Sequence, residues 1–306
     1  MRNNIEQSVF EFISFYNAME RAVTPMEIVT RAPLLKQVSF TQIIEVIESL
    51  TQQKLVFSKN GFLVIQNRDS LLESRTKQDF LLDIKWKKLM KMATWFRYIP
   101  FVDFVLVSGS MSFGAIRKSS DFDVVLGVRQ GRIFTARYLV SGLFSLFRAR
   151  RLDDFEASSP DKFCFNHIIT PISYEKPPHN YYRYELYKHL IPIFIDGLSY
   201  ERFREKNSWA EIGMLNSEMV PLHKPSKIKK ILEFLFGNTI GNYIETHIAE
   251  PIAKKRLASY IHQKHNAGRV VIHEYELEFH FQLNYESMFS NFRIPIFVTD
   301  TLNQEK

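Results

Sequence analysis

Apolar positions along this chain keep two rhythms, and the changes between them mark out its elements. Residues 5–19 place Ile5, Val9, Phe12, Ile13 and Tyr16 at helical spacing. Thr24-Pro25 reads as an N-cap followed by proline at the first helical position, with Glu27 close behind. That short helix ends near Arg31, before Pro33. Thr41 caps a longer helix carrying Ile43, Ile44, Ile47 and Leu50. LVFSKNGFLVIQ then gives two apolar strands joined around Asn60-Gly61, a strong hairpin signal. From Asp69 to Tyr98 the pattern is helical again, and Pro100 ends it.

Three helices and a hairpin in that order predict a winged helix over residues 1–68, with 69–100 as a connecting helix. An apolar run, Phe101 to Val107, then stops at Ser108-Gly109-Ser110, and a second run follows Asp121-Phe122-Asp123. The reading is strand, tight Gly-Ser turn, short helix or loop, strand. Arg132 to Arg150 is an amphipathic helix, and Lys162 to Thr170 the next strand. Residues 101–175 thus form a small mixed-sheet core. Residues 176–306 read as mainly helical, except that Arg269 to Phe281 alternates like an exposed strand or ribbon. Tyr181, Tyr182, Tyr184 and Tyr187 can stack on a base or pack in a core, and packing explains them better. The fold class is α+β.

The chemistry gathers between Val105 and Val128. Side chains alternate on a strand, so Asp121 and Asp123 point to one face. Two carboxylates beside a Gly-Ser turn make a place for a divalent metal and a triphosphate. Gly109 lets the backbone approach a phosphate with no side chain in the way.

At Gly109-Ser110, Ser112, Gly114 and Ser120-Asp121-Phe122-Asp123 the chain resembles the nucleotidyltransferase superfamily of DNA polymerase β type, particularly its minimal branch. The one departure noted within the motif is Phe113, where many minimal members place an arginine. The resemblance implies that Gly109 and Ser110 bind phosphates, that Ser120 supports the turn, and that Asp121 and Asp123 hold magnesium. It implies transfer of a nucleoside monophosphate from a nucleoside triphosphate to a hydroxyl. The acceptor, whether RNA, protein or small molecule, is not written in the motif.

Full catalytic members carry a third carboxylate on the next core strand, to hold a metal near the attacking hydroxyl and take its proton. Strand 162–170 offers Cys164, Asn166 and His167 instead. Alternation sets Cys164 and Asn166 on one face and His167 on the other. Asn166 is the candidate for the vacated position, with Asp153, Asp154 and Asp161 in the preceding loop as substitutes. The alternative function is therefore a catalytically impaired nucleotide-binding regulator that contacts protein or DNA through the winged helix.

Composition narrows the remainder. The chain has 306 residues, 45% hydrophobic and 24% charged, which is ordinary for a globular protein. One cysteine, Cys164, excludes an intramolecular disulfide and cysteine-rich metal sites. No apolar run approaches the roughly 20 residues of a membrane span. MRNNIEQSVF lacks the apolar core of a signal peptide, so a cytoplasmic protein with no membrane partner is expected. The net charge of +7 suits polyanions such as nucleoside triphosphates or nucleic acid. DNA is not favoured, because the would-be recognition helix carries Glu45 and Glu48 and a single terminal lysine.

Overall fold

The computed structural model describes residues 2–32, 35, 38–151, 159–176, 180–210, 212, 223–262 and 269–280. They fall into two compact units, one running to Ile84 and including Gly114–Arg117, the other Lys85–Phe113 and the residues from Lys118 on.

In the first unit, α1 (Arg2–Ala18), α2 (Pro25–Arg31) and α3 (Phe40–Gln52) precede a hairpin of β1 (Val56–Lys59) and β2 (Phe62–Ile65). Thr24 and Glu27 cap each other's backbone at the start of α2, with Pro25 at its first position, as their local chemistry dictates. α3 starts earlier than its sequence reading. Ser39, not Thr41, is its N-cap, because Gln42 three residues on closes a capping box with it. Asn60 and Gly61 both take positive φ, as a two-residue hairpin turn requires. α1 buries Val9, Phe12, Ile13 and Tyr16, and α3 packs against it through a face of Ile43, Val46, Ile47 and Leu50. Buried Asn17 ties α1 to the hairpin, its Oδ1 accepting from the Ile65 N–H at 2.8 Å.

Beneath that hairpin lies a closed set of charges. Arg75, on α4 (Ser70–Ala93), donates from Nη1 to Glu27 Oε2 at 2.9 Å and from Nε to Asp79 Oδ2 at 3.0 Å. Arg21 reaches the same two carboxylates and also donates from Nη1 to the Gly114 carbonyl at 2.6 Å. Burial pushes the Glu27 carboxyl up, but the hydrogen bonds and charge of Arg75 and Arg21 outweigh it and hold the group at about 2. Gly114 has φ +74°, and a Cβ there would stand 2.9 Å from the Arg21 guanidinium.

The second unit is built on a six-stranded mixed sheet. Its strands are β3 (Val102–Val107), β4 (Phe122–Val128), β5 (Phe163–Ile169), β6 (Ile191–Ile195), β7 (Arg269–Ile272) and β8 (Glu276–His280). They lie in the order β6-β3-β4-β5-β8-β7. Only the β4–β5 pair is parallel. The class is α+β as expected, but the sheet is wider than the 101–175 span. β6 and the β7–β8 hairpin come from the region read as mainly helical. Residues 269–280, expected as an exposed ribbon, pair with β5 instead, and Leu277 and Phe279 are buried.

One face of the sheet carries Phe122, Phe163 and Phe165, packed with Phe96 and with Phe144 of α6 (Ile133–Leu146); the Phe144 and Phe163 rings are 4.9 Å apart. The opposite face carries Phe104, whose ring lies 5.3 Å from Phe203 on α8 (Ser199–Lys206). Among the described residues no helix is long and apolar enough to cross a membrane.

Candidate metal site at the head of β4

β3 ends at Val107, and the chain turns through Ser108 into the short α5 (Gly109–Phe113). The Ser108 N–H donates to the Asp123 carbonyl at 2.9 Å, which fixes this turn against the first residues of β4. Gly109 has φ +61°, and a Cβ on it would stand 2.5 Å from Asp123 Oδ2. Glycine is thus required twice, by the left-handed backbone and by the carboxylate lying against its Cα. Ser112 Oγ donates to the Gly109 carbonyl at 2.9 Å. Phe113 is a buried core residue with its ring 5.1 Å from His189.

Asp121 stands one residue before β4 and Asp123 within it. Oxygens of the two carboxylates and the buried Cys164 thiol all lie within 4.8 Å of one another. Asp121 Oδ2 accepts from Arg151 Nη1 at 2.8 Å. Asn166 Nδ2 donates to Asp123 Oδ1 at 3.3 Å. The structure therefore brings together Gly109, Asp121, Asp123, Cys164 and Asn166, and adds Arg151, which the sequence shows only as part of a basic run.

The turn that carries Ser120 is anchored from outside. Buried Lys85 on α4 donates to the carbonyls of Lys118 at 3.0 Å and Ser120 at 2.6 Å. The same ammonium pairs with Asp161 Oδ1 at 2.8 Å, and Lys88 takes Asp161 Oδ2 at 2.7 Å. Burial pushes the Asp161 carboxyl up, and these two lysines pull it below the usual range. Asp161 is thus committed as a strut of the turn. Asp153 and Asp154 lie outside the described residues.

Strand β5 departs from simple alternation. Asp123 pairs with Cys164 but Val125 with His167, so β5 carries one extra residue, a bulge at 165–166. The expectation that His167 faces away from Asp123 is corrected by this bulge, which sets it in register with Val125 on the same face. There His167 Nε2 lies 3.3 Å from Glu276 Oε1, and Lys176 Nζ donates to Glu276 Oε2 at 2.6 Å. Burial raises the Glu276 carboxyl, while His167 and Lys176 outweigh that and lower it. Ligand atoms of His167, Glu276 and Glu278 also lie within 4.8 Å of one another, a second group able to hold a cation. No count along one strand could show this group, because β8 joins β5 from more than 100 residues away.

Tyr181, Tyr184 and Tyr187 of α7 (Tyr181–Lys188) are buried, and the Tyr187 ring lies 5.3 Å from Trp209, so packing accounts for all three. Tyr182 is half-buried.

The donor set suits a small hard cation. Two carboxylates on adjoining backbone supply hard oxygen ligands that could hold a cation. The Cys164 thiol also fits a softer metal such as zinc. No protein-family model, curated protein or solved structure matches the chain.

Proposed function

We propose that this chain binds a nucleoside triphosphate with a divalent metal and transfers the nucleoside monophosphate to a hydroxyl, releasing pyrophosphate. The observation that carries the reading is the convergence of Asp121 and Asp123 at the head of β4, with Gly109 packed against the Asp123 carboxylate. Magnesium held there would neutralise charge on the transferred and leaving oxygens. On this reading Gly109 and Ser110 bind the phosphates, and Lys85 fixes the Ser120 turn that presents Asp121. A β3–β4 antiparallel pair joined to a parallel β5 supports the nucleotidyltransferase core inferred from the motif.

The order helix, helix, helix, hairpin in the first unit supports a winged helix. Glu45 and Glu48 are exposed on α3, which favours a protein partner over DNA for that surface.

One observation favours the second reading, a nucleotide-binding regulator with an impaired chemical step. Asn166 occupies the place beside Asp123 where a third carboxylate would stand, and an amide takes no proton near neutral pH. Calorimetric titration with manganese and a non-hydrolysable triphosphate tests what both readings share. Saturable metal-dependent binding is expected in the wild type and absent in Asp121→Asn and Asp123→Asn. No binding by the wild type defeats both. Labelled triphosphates with RNA, protein and small hydroxyl acceptors then separate the two, since only the transferase releases pyrophosphate.

A further inference from the structure

The helix α9 (Lys227–Phe236) is amphipathic in the wrong sense for a helix lying on a protein core. Its inward face is charged. Lys229 is fully buried and pairs with Asp196 and, at 2.6 Å, with Glu233 Oε1. Glu233 in turn accepts from the Phe101 N–H at 2.7 Å and from Arg129 at 3.0 Å. The outward face is apolar: Ile228 is 56% exposed, Ile231 57%, Phe234 84% and Leu235 50%. These four recur at helical spacing, so they form one stripe. The helix is clamped to the body by its polar side and shows its greasy side to the surroundings.

Exposed apolar residues recur beyond α9. Helix α10 (Thr239–Tyr243), a π-helical turn (Ile244–Ala249) and α11 (Glu250–His262) follow as an uninterrupted helical run. Along it Ile240, Tyr243, Ile248 and Ile252 are exposed. Scattered apolar residues on a surface need no explanation, but a stripe along one helix face does.

Charge decides what covers it. Lys227, Lys230, Lys254, Lys255 and Arg256 are all exposed on these helices. Among the described residues from Lys227 to Arg256 the acids are Glu233, Glu245 and Glu250, and of these Glu250 alone offsets one of the named cations. Glu233 is engaged inward, Glu245 accepts from the Phe134 and Thr135 N–H groups, and Glu250 pairs with Lys254. A second copy of this chain is a poor partner, because a two-fold interface would set these lysines against themselves. An apolar stripe bordered by cations matches the boundary of an anionic bilayer, where acyl chains take the apolar groups and headgroups the ammonium groups.

We propose that α9 and the α10–α11 run form an interfacial docking surface for membranes bearing anionic lipid. That no helix among the described residues is long and apolar enough to cross a membrane does not oppose this, since the helices would lie in the interface.

Flotation of the full chain with phosphatidylcholine vesicles, with and without phosphatidylglycerol, tests it. Binding to the anionic vesicles is expected, falling as salt rises, with little binding to the neutral ones. The double variant Ile231→Ser/Phe234→Ser should lose about tenfold or more of the partition, since both side chains stand largely in water and their removal leaves the fold intact. Lys227→Glu/Lys230→Glu should remove the preference for anionic lipid. Circular dichroism and melting show whether each variant is folded. Wild-type protein that stays with the buffer, or binding unchanged by both variants, overturns the proposal. So does a dimer or a co-purifying acidic protein that Ile231→Ser/Phe234→Ser releases when no vesicle binding is seen.

Discussion

Two of the charge clusters among the described residues, one in each unit, differ in how their charges are balanced. The first, Arg21, Glu27, Arg75 and Asp79, balances two guanidinium groups against two carboxylates, with Arg21, Glu27 and Arg75 largely out of water. The second, at the head of β4, sets Asp121 and Asp123 beside one guanidinium, a thiol and an amide. A charge cluster completed by its own chain is cement, since breaking a buried pair strands a charge. Carboxylates gathered with a thiol within ligand reach of one another are instead where a cation from solution can be held.

The contrast is broken most directly at Glu27. Glu27→Gln should destabilise the first unit by about 3 kcal/mol, because it leaves two largely buried guanidinium groups sharing the single carboxylate of Asp79, while leaving manganese affinity unchanged. Urea unfolding and a metal titration on the same variant read both halves. The pH dependence has a definite sign. Glu27 is depressed from 4.5 to about 2 in the folded state. Its stabilisation is therefore complete above the unfolded value and is lost as pH falls from there through about 2. Acid unfolding of the wild type should be steepest in that window, and Glu27→Gln should flatten it.

The reverse pattern is expected at the second cluster. Asp121→Asn or Asp123→Asn should weaken manganese binding by about tenfold or more with little change in melting temperature. Gly109→Ala should blur the distinction. Its Cβ collides with Asp123 at a positive φ, so it should lower stability by roughly 1–2 kcal/mol and metal affinity together. A variant that loses only one of these separates backbone strain from carboxylate displacement. The smallest effect is expected at Asn166→Asp. It adds a third carboxylate beside Asp123 and should tighten a second divalent ion by about severalfold at saturating magnesium. Without metal, mutual repulsion should lower the melting temperature slightly. If Asn166→Asp and Asn166→Ala both change nothing, Asn166 is not part of the site.

What could be read from the sequence follows the range of the interactions involved. Thr24 and Glu27 close a capping box within four residues, and the start of α2 was legible from them. The start of α3 was misplaced from Ser39 to Thr41, because both residues are competent caps and Gln42 decides between them. Asp121 and Asp123 could be placed near Gly109 because the two runs that flank the motif are consecutive in sequence and pair with each other as β3 and β4. The face of His167 was misread, since counting by twos fails across a bulge that only the register with β4 reveals. Arg151 and Glu276 were invisible as site neighbours for a related reason. Each meets the site region through pairing set far away in sequence. The inverted polarity of α9 was equally hidden. Periodicity shows that a helix has two faces, not which of them Asp196 and Glu233 will claim.

The Arg21 guanidinium against the Gly114 carbonyl has a consequence for ancestry. Gly114–Arg117, which follows the Gly-Ser motif directly, belongs to the first unit, so that unit is assembled from segments far apart in sequence. A lineage that replaced the N-terminal helices would have to find another cation for that carbonyl and another wall for a glycine fitted to arginine. Relatives of this chain should therefore inherit the pair jointly, and a descendant that lost one member should show the other released to vary.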